Sequence, residues 1–344
     1  MRLLLSSLSC LIVASSSSGR TQEEKEKSPA PAPPRPALQV GDSLPPVVIE
    51  DLSQTQARSF SEFYGRAVLF EFFAYWCAPC AQTVPHLNEL QAKYGARGLS
   101  VVGVTTDNGK KTLPWVEKNG VEYAWGRDTS GELHQLFQIQ AIPSAVLIDA
   151  FGTVVWTGDP RRLNDETLEG VLADTLERPV WEWPEDARPI AGLLERAEFA
   201  TALQEAEKLP ALEGFDLQGL VRGRIAPLLA RFDGLVDSAE YGAAFELGER
   251  LEKGLATLPE GTKLNARLGE LRSDPEITRA VSEEKSIDGL EARAGALRKA
   301  VDAQQLRTDV AAFLDSKPGE RFGRRAKILL DMLDRGLAKA KKKS

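Results

Sequence analysis

Trp76-Cys77-Ala78-Pro79-Cys80 is the segment of the chain whose residue types and spacing most clearly suggest chemistry. Two cysteines with two residues between them can share one helical turn and close a small disulfide ring. The apolar run Val68–Phe73 precedes them and a helical pattern runs from Cys80 to Tyr94, so the pair falls where a strand passes into a helix. Cys77 is then expected at the helix N-terminus, where unpaired amides and the helix dipole stabilise a thiolate. The thiolate is the attacking species in disulfide exchange. Cys80, one turn further in, is expected to be more buried and to resolve a mixed disulfide formed on Cys77. Pro79 limits the backbone of the ring and brings no amide hydrogen. Glu71 sits six residues before Cys77 inside the apolar run. Burying a carboxylate is costly, so its pKa is expected to rise, which would let it exchange a proton with Cys80. Its alternative is an acid at a strand position open to solvent.

The elements that must hold these groups follow from the pattern around them. Val68–Phe73, Leu99–Val104 and Ala145–Ile148 read as buried strands, and Thr153–Trp156 as a further one after the Phe151-Gly152 turn. Cys80–Tyr94 and Leu113–Asn119 read as helices, with Pro85 expected to kink the first. Alternating strands and helices indicate an α/β sheet. All six tryptophans lie between Trp76 and Trp183, which marks this part as the one with the large aromatic core. Beyond Pro184 the texture changes. Ile190, Leu193, Leu194, Ala197, Ala200 and Leu203 follow helical spacing, as do Phe322, Ala326, Leu329, Leu330, Leu333 and Leu337. Six or seven helices are expected here, punctuated by Pro210, Pro259, Pro275 and Pro318, with Ser273-Asp274-Pro275-Glu276 as a helix start. The expected organisation is a sheet-containing domain over residues 38–178 and an all-helical domain over 185–344. Its Val310–Leu333 stretch resembles the end of a tetratricopeptide-like array.

Phe72-Phe73-Ala74-Tyr75-Trp76-Cys77-Ala78-Pro79-Cys80 resembles the active-site segment of the thioredoxin superfamily. The wider pattern resembles the exported TlpA/ResA-type thiol–disulfide oxidoreductases over about residues 38–176. Val40-Gly41-Asp42 with Leu44-Pro45 is similar to the segment that opens that family's domain. Gly98–Val104 followed by Asp107 is similar to its next strand, and Ala141-Ile142-Pro143-Ser144 through Asp149 to its cis-proline strand. The resemblance implies a thioredoxin-like fold, a central mixed sheet flanked by helices, and thiol–disulfide oxidoreductase activity through Cys77 and Cys80. It implies that Pro143 is cis and faces Cys77, leaving the Ile142 backbone free to pair with an extended substrate. Trp76 is expected to shape the substrate-binding rim. The chain departs from the family in carrying Glu71 where members of this type often have Asn. Ile142 and the lack of a histidine between the cysteines point to a reductant or an isomerase-side role. No cofactor is implied. The partners would be protein thiol or disulfide substrates and an upstream thiol protein that supplies or accepts electrons.

Three other chemistries compete with this one. A zinc site would need His86 and His134 to join the cysteine pair, but His86 falls nearly two helical turns after Cys80 and points elsewhere, and His134 lies far along the chain. No metal is expected. A peroxiredoxin needs a Thr or Ser where Ala74 stands. A redox-sensing or non-catalytic interaction protein would use the helical half as a binding surface for an unknown partner. The formal charge of -7 argues against nucleic acid. Three cysteines and two histidines exclude a disulfide-dense scaffold or a multi-imidazole site. Residues 1–19 resemble a signal peptide or export segment and residues 20–37 a charged, proline-rich linker. A periplasmic or other extracytoplasmic location is expected, with anchoring by the N-terminal segment or by a lipid on Cys10 as a further possibility.

Overall fold

The computed structural model describes residues 38–210, 214–295, 297 and 300–341; the expected export segment, the linker and Cys10 lie outside them. Six strands build one sheet: β1 (Glu50–Ser53), β2 (Ala67–Phe72), β3 (Leu99–Thr105), β4 (Ala124–Arg127), β5 (Ser144–Ile148) and β6 (Val154–Gly158). Their spatial order is β1-β4-β3-β2-β5-β6. The pairs β2/β3 and β3/β4 are parallel, while β1/β4, β2/β5 and β5/β6 are antiparallel. The sheet is therefore mixed, and the fold is thioredoxin-like.

The period of two along the central strands explains how both faces are covered. Ala67, Leu69 and Phe73 turn to one face with Leu99, Val101, Ala145 and Leu147. Val68, Phe70 and Phe72 turn to the other with Val102, Val104, Val146 and Ile148. The first face packs on α1 (Ala78–Tyr94) through Val84, Leu87 and Leu90, on α2 (Gly109–Asn119) through Val116, and on α4 (Asp165–Leu172) through Leu168 and Leu172. The second packs on Phe60 and Phe63 and on α3 (Glu132–Leu136) through Leu133 and Leu136.

β2, β3, β5 and β6 are legible in the sequence, whereas β1, β4, α3 and α4 are not. β1 is largely exposed and β4 is four residues containing Gly126, so neither presents an apolar run. α2 begins four residues before the expected start, because Asn108 Oδ1 accepts from Lys111 N at 3.2 Å and caps a polar first turn.

Beyond the sheet, the described residues form nine helices, not six or seven: α5 (Pro189–Glu195), α6 (Phe199–Lys208), α7 (Leu217–Gly223), α8 (Ile225–Asp237), α9 (Tyr241–Gly254), α10 (Pro259–Ser273), α11 (Pro275–Gly295), α12 (Ala300–Asp315) and α13 (Glu320–Lys341). α5 and α7 span only seven residues each, too short to show a helical period. Pro259 and Pro275 open α10 and α11, and Asp274 Oδ1 accepts from Glu276 N at 2.8 Å. Two apolar clusters hold these helices, one over Val180–Leu271 and one over Ile287–Leu333. No described helix is long and apolar enough to cross a membrane.

The helical half grips the β5–β6 hairpin. Arg224, buried just before α8, donates from Nη2 to Ala150 O at 3.0 Å and from Nη1 to Asp174 O at 2.6 Å. Its guanidinium lies 4.0 Å from the centre of the Phe151 ring. Arg231 Nη1 reaches Asp149 Oδ2 at 2.8 Å and Thr153 Oγ1 at 2.7 Å. Asp149 Oδ1 meanwhile accepts from the amides of Phe151 and Thr153, so the same carboxylate shapes the turn and receives the helical half.

Candidate active site

β2 ends at Phe72, and the chain turns through Ala74 and Tyr75 into α1, whose N-cap is Cys77. Cys77 Sγ accepts from Cys80 N at 3.2 Å, and the two sulfurs form a disulfide. Cys80 is fully buried and Cys77 nearly so, whereas Trp76 is 66% exposed. The pair therefore sits with one sulfur near the surface and the other behind it against the sheet. α1 continues through Pro85 to Tyr94 as one helix.

Pro143 follows a cis peptide bond after Ile142, immediately before β5. Cys77 Sγ lies 3.9 Å from the Ile142 carbonyl oxygen, across 65 residues of sequence. A disulfide sulfur has no proton to donate, so this is a contact between the reactive sulfur and a backbone acceptor. It arises because β5 pairs with β2 in antiparallel register, Ser144 opposite Phe72, which brings the start of β5 to the end of β2.

Glu71 is fully buried on the same face as Leu69 and Phe73, the face that carries Cys77 and Cys80. Its strand neighbours are Gly103 and Ala145. Neither can bond a carboxylate through its side chain, and both Glu71 oxygens lack a partner among the described residues. The indole Nε1 of Trp125, on the residue paired with Gly103, is buried without a partner as well. Burial pushes the Glu71 carboxyl up to about 8. Ionisation of a group whose folded-state pKa is raised is held back only in the fold. Its stabilising contribution is thus complete below the ordinary carboxyl range near 4.5 and is lost as pH rises to about 8. Urea unfolding of the oxidised protein should show stability falling by a few kcal/mol between pH 5 and pH 9, and Glu71→Gln should flatten that fall. An identical pH dependence in the variant would show that Glu71 titrates as it does in water.

The loop before Cys77 is held by residues to which the sequence reading gave no role. Asp107 Oδ2 accepts from Tyr75 N at 3.0 Å, and Lys111 Nζ donates to Tyr75 Oη at 2.9 Å. Asp107 stands two residues after β3, the one local hint that its side chain could reach the adjoining strand end. The histidines lie elsewhere. His134 Nδ1 is 2.7 Å from Asp128 Oδ2, and His86 Nε2 is buried without a partner on α1. Among the described residues no three of His, Cys, Asp and Glu are grouped to hold a metal. Ala74, three residues before Cys77, is buried and offers no hydroxyl to that sulfur.

The chain is similar to known proteins over its sheet-containing part. Residues 40–157 match the AhpC/TSA family. Thiol-disulfide oxidoreductase ResA of Bacillus thuringiensis subsp. konkukian is 26% identical over 119 residues, 34% of this chain and 68% of that protein. ResA of Oceanobacillus iheyensis is 26% identical over 144 residues, 41% of this chain and 69% of that protein. Among solved structures, the thioredoxin domain of a thiol-disulfide oxidoreductase from Bacteroides vulgatus is similar, with 20% identity and a TM-score of 0.34, covering 39% of this chain and 95% of that one. The sheet-containing part is a thioredoxin-like thiol–disulfide oxidoreductase module.

Proposed function

We propose that the chain exchanges disulfides with extracytoplasmic protein substrates through Cys77 and Cys80, acting as a reductant. The observation that carries this is the placement of Cys77 Sγ at the N-terminus of α1, 3.9 Å from the Ile142 carbonyl, with Cys80 buried behind it. In the reduced protein the Cys77 thiolate attacks one sulfur of a substrate disulfide, forming a Cys77–substrate bond and expelling the other sulfur as a thiolate. Cys80 then attacks Cys77 Sγ, re-forms the intramolecular disulfide and releases the second substrate sulfur. An upstream dithiol returns the two electrons. Ile142 and Pro143 bind the substrate backbone beside the reacting sulfur, with Trp76 at the rim. Glu71 accepts the Cys80 proton as that sulfur attacks, and gives it back when Cys80 is the leaving group. Burial raises the Glu71 pKa to about 8, close enough to neutral for the carboxyl to take up and return a proton. We take residues 38–178 as the catalytic domain and 185–344 as a helical domain that holds it.

The reading is tested with Cys80→Ser, which can form a mixed disulfide and cannot resolve it. Expressed in its own cells with residues 1–37 intact, it is expected to accumulate disulfide-linked partners that are exported proteins and that are absent with Cys77→Ser/Cys80→Ser. Capture confined to cytosolic proteins would overturn the location. Capture of nothing above the double variant would overturn the activity in favour of a non-catalytic interaction protein.

A further inference from the structure

Arg66 precedes β2 and is 7% exposed. Its Nε donates to Ser100 Oγ at 2.6 Å, and its Nη2 donates to Gly95 O at 2.5 Å and to Leu99 O at 2.6 Å. These acceptors are neutral. Nη1 has no partner among the described residues, and no described carboxylate pairs with the guanidinium; only the field of Glu182 reaches it. Burial accordingly pushes this guanidinium down to about 10. Buried cations are ordinarily paired, because an uncompensated charge in the interior is costly.

Arg224 is the internal comparison. It is as buried and also bonds neutral acceptors, but Nε, Nη1 and Nη2 all have partners and Phe151 covers the plane. Arg66 instead lines a cleft of about 340 Å³ together with Gln54, Gln56, Gln91, Ser100, Glu122 and Trp181. That volume is within the range of small-molecule sites. Trp181 lies 5.3 Å from the guanidinium carbon. Gln91 Oε1 is taken by Val101 N at 2.8 Å, which leaves its Nε2 amide as a donor. The cleft lies where β2 and β3 begin, at the opposite end of β2 from the disulfide. A second cleft of about 470 Å³ in the helical half also holds an arginine, the half-buried Arg250, but Glu198, Glu246 and Glu249 line it, whereas the acid on the Arg66 cleft is the exposed Glu122.

We propose that the Arg66 cleft binds a small molecule through an oxyanion group, a carboxylate or a phosphate, which accepts from Arg66 Nη1 and is flanked by the Gln56 and Gln91 amides, the Gln54 amide being held by Val121 O at 3.0 Å. A guanidinium fits either group by charge and donor geometry. The site is separate from the cysteine pair, and its test does not depend on redox activity.

The test titrates the oxidised protein with inorganic phosphate and, separately, with succinate, each against chloride at equal ionic strength, following tryptophan emission and the thermal midpoint. A saturable rise in midpoint with a change in emission is expected for one or both anions. The anion that acts identifies the group. Trp181→Phe should remove the emission change and keep the midpoint shift. Gln56→Glu alters an exposed residue at the cleft and places a like charge before the anion, so it should weaken the response about tenfold. Arg66→Lys retains charge and should weaken it as well, by losing the fixed donor geometry. Equal responses to phosphate, succinate and chloride would overturn the site. So would a response unchanged in both Gln56→Glu and Arg66→Lys.

Discussion

Cys77→Ser should reduce disulfide exchange to the uncatalysed background, a loss of about three orders of magnitude or more, while leaving the unfolding midpoint of the reduced protein nearly unchanged. A serine hydroxyl stays protonated where a thiol at a helix N-terminus ionises. The replacement removes the nucleophile at the only place where a sulfur meets both the α1 amides and the Ile142 carbonyl among the described residues. The remaining thiol, Cys80, is fully buried and cannot meet a protein disulfide without displacing the turn that holds it. Alanine at the same position should behave like serine, since neither offers a sulfur. Assay of dithiothreitol-driven reduction of a protein disulfide checks the result. Retention of more than about a tenth of the activity would assign the attack to another group and would remove Cys77 from the mechanism.

Arg224→Ala should destabilise the protein by about 3 kcal/mol. The side chain gives up its bonds to Ala150 O, Asp174 O and Tyr64 Oη, leaving two main-chain carbonyls at the boundary of the sheet and the helices without their donor. It also empties the space beside Phe151. Arg224→Met fills much of that space without restoring the bonds, so it should recover only part of the loss. Arg231→Ala acts on the same hairpin through Asp149 and Thr153, but Arg231 is less buried and should cost less. Because Arg224 spans both halves, its loss should also separate one unfolding transition into two, seen by following tryptophan emission from the sheet part and helical ellipticity together. A single transition at the wild-type urea midpoint would show that the halves are joined by apolar packing alone.

The parts of this molecule that were legible in its sequence are those encoded by local pattern. The apolar run Val68–Phe73 marked a buried strand, and Glu71 stood out as the residue that broke it. The spacing of Cys77 and Cys80 required a shared turn, and Pro275 after Asp274 marked a helix start. Short or half-exposed elements escaped the reading. β1 is half-exposed and β4 is only four residues long, so neither shows a period, and α5 and α7 are too brief to repeat one.

What the sequence by itself determined is the chemistry available: a dithiol at a strand-to-helix junction and an acid inside an apolar strand. Only the tertiary structure decided which distant groups that chemistry meets. The order of strands places Ile142 O against Cys77, and the end of β3 delivers Asp107 to the Tyr75 amide. The helical half closes on the β5–β6 turn through Arg224 and Arg231, while Arg66 is left facing a cleft with no carboxylate paired to it among the described residues. Periodicity specifies which side of an element is buried. It does not specify what buries it, because strand order and packing arise from the whole chain's competition for apolar cover and hydrogen-bond partners.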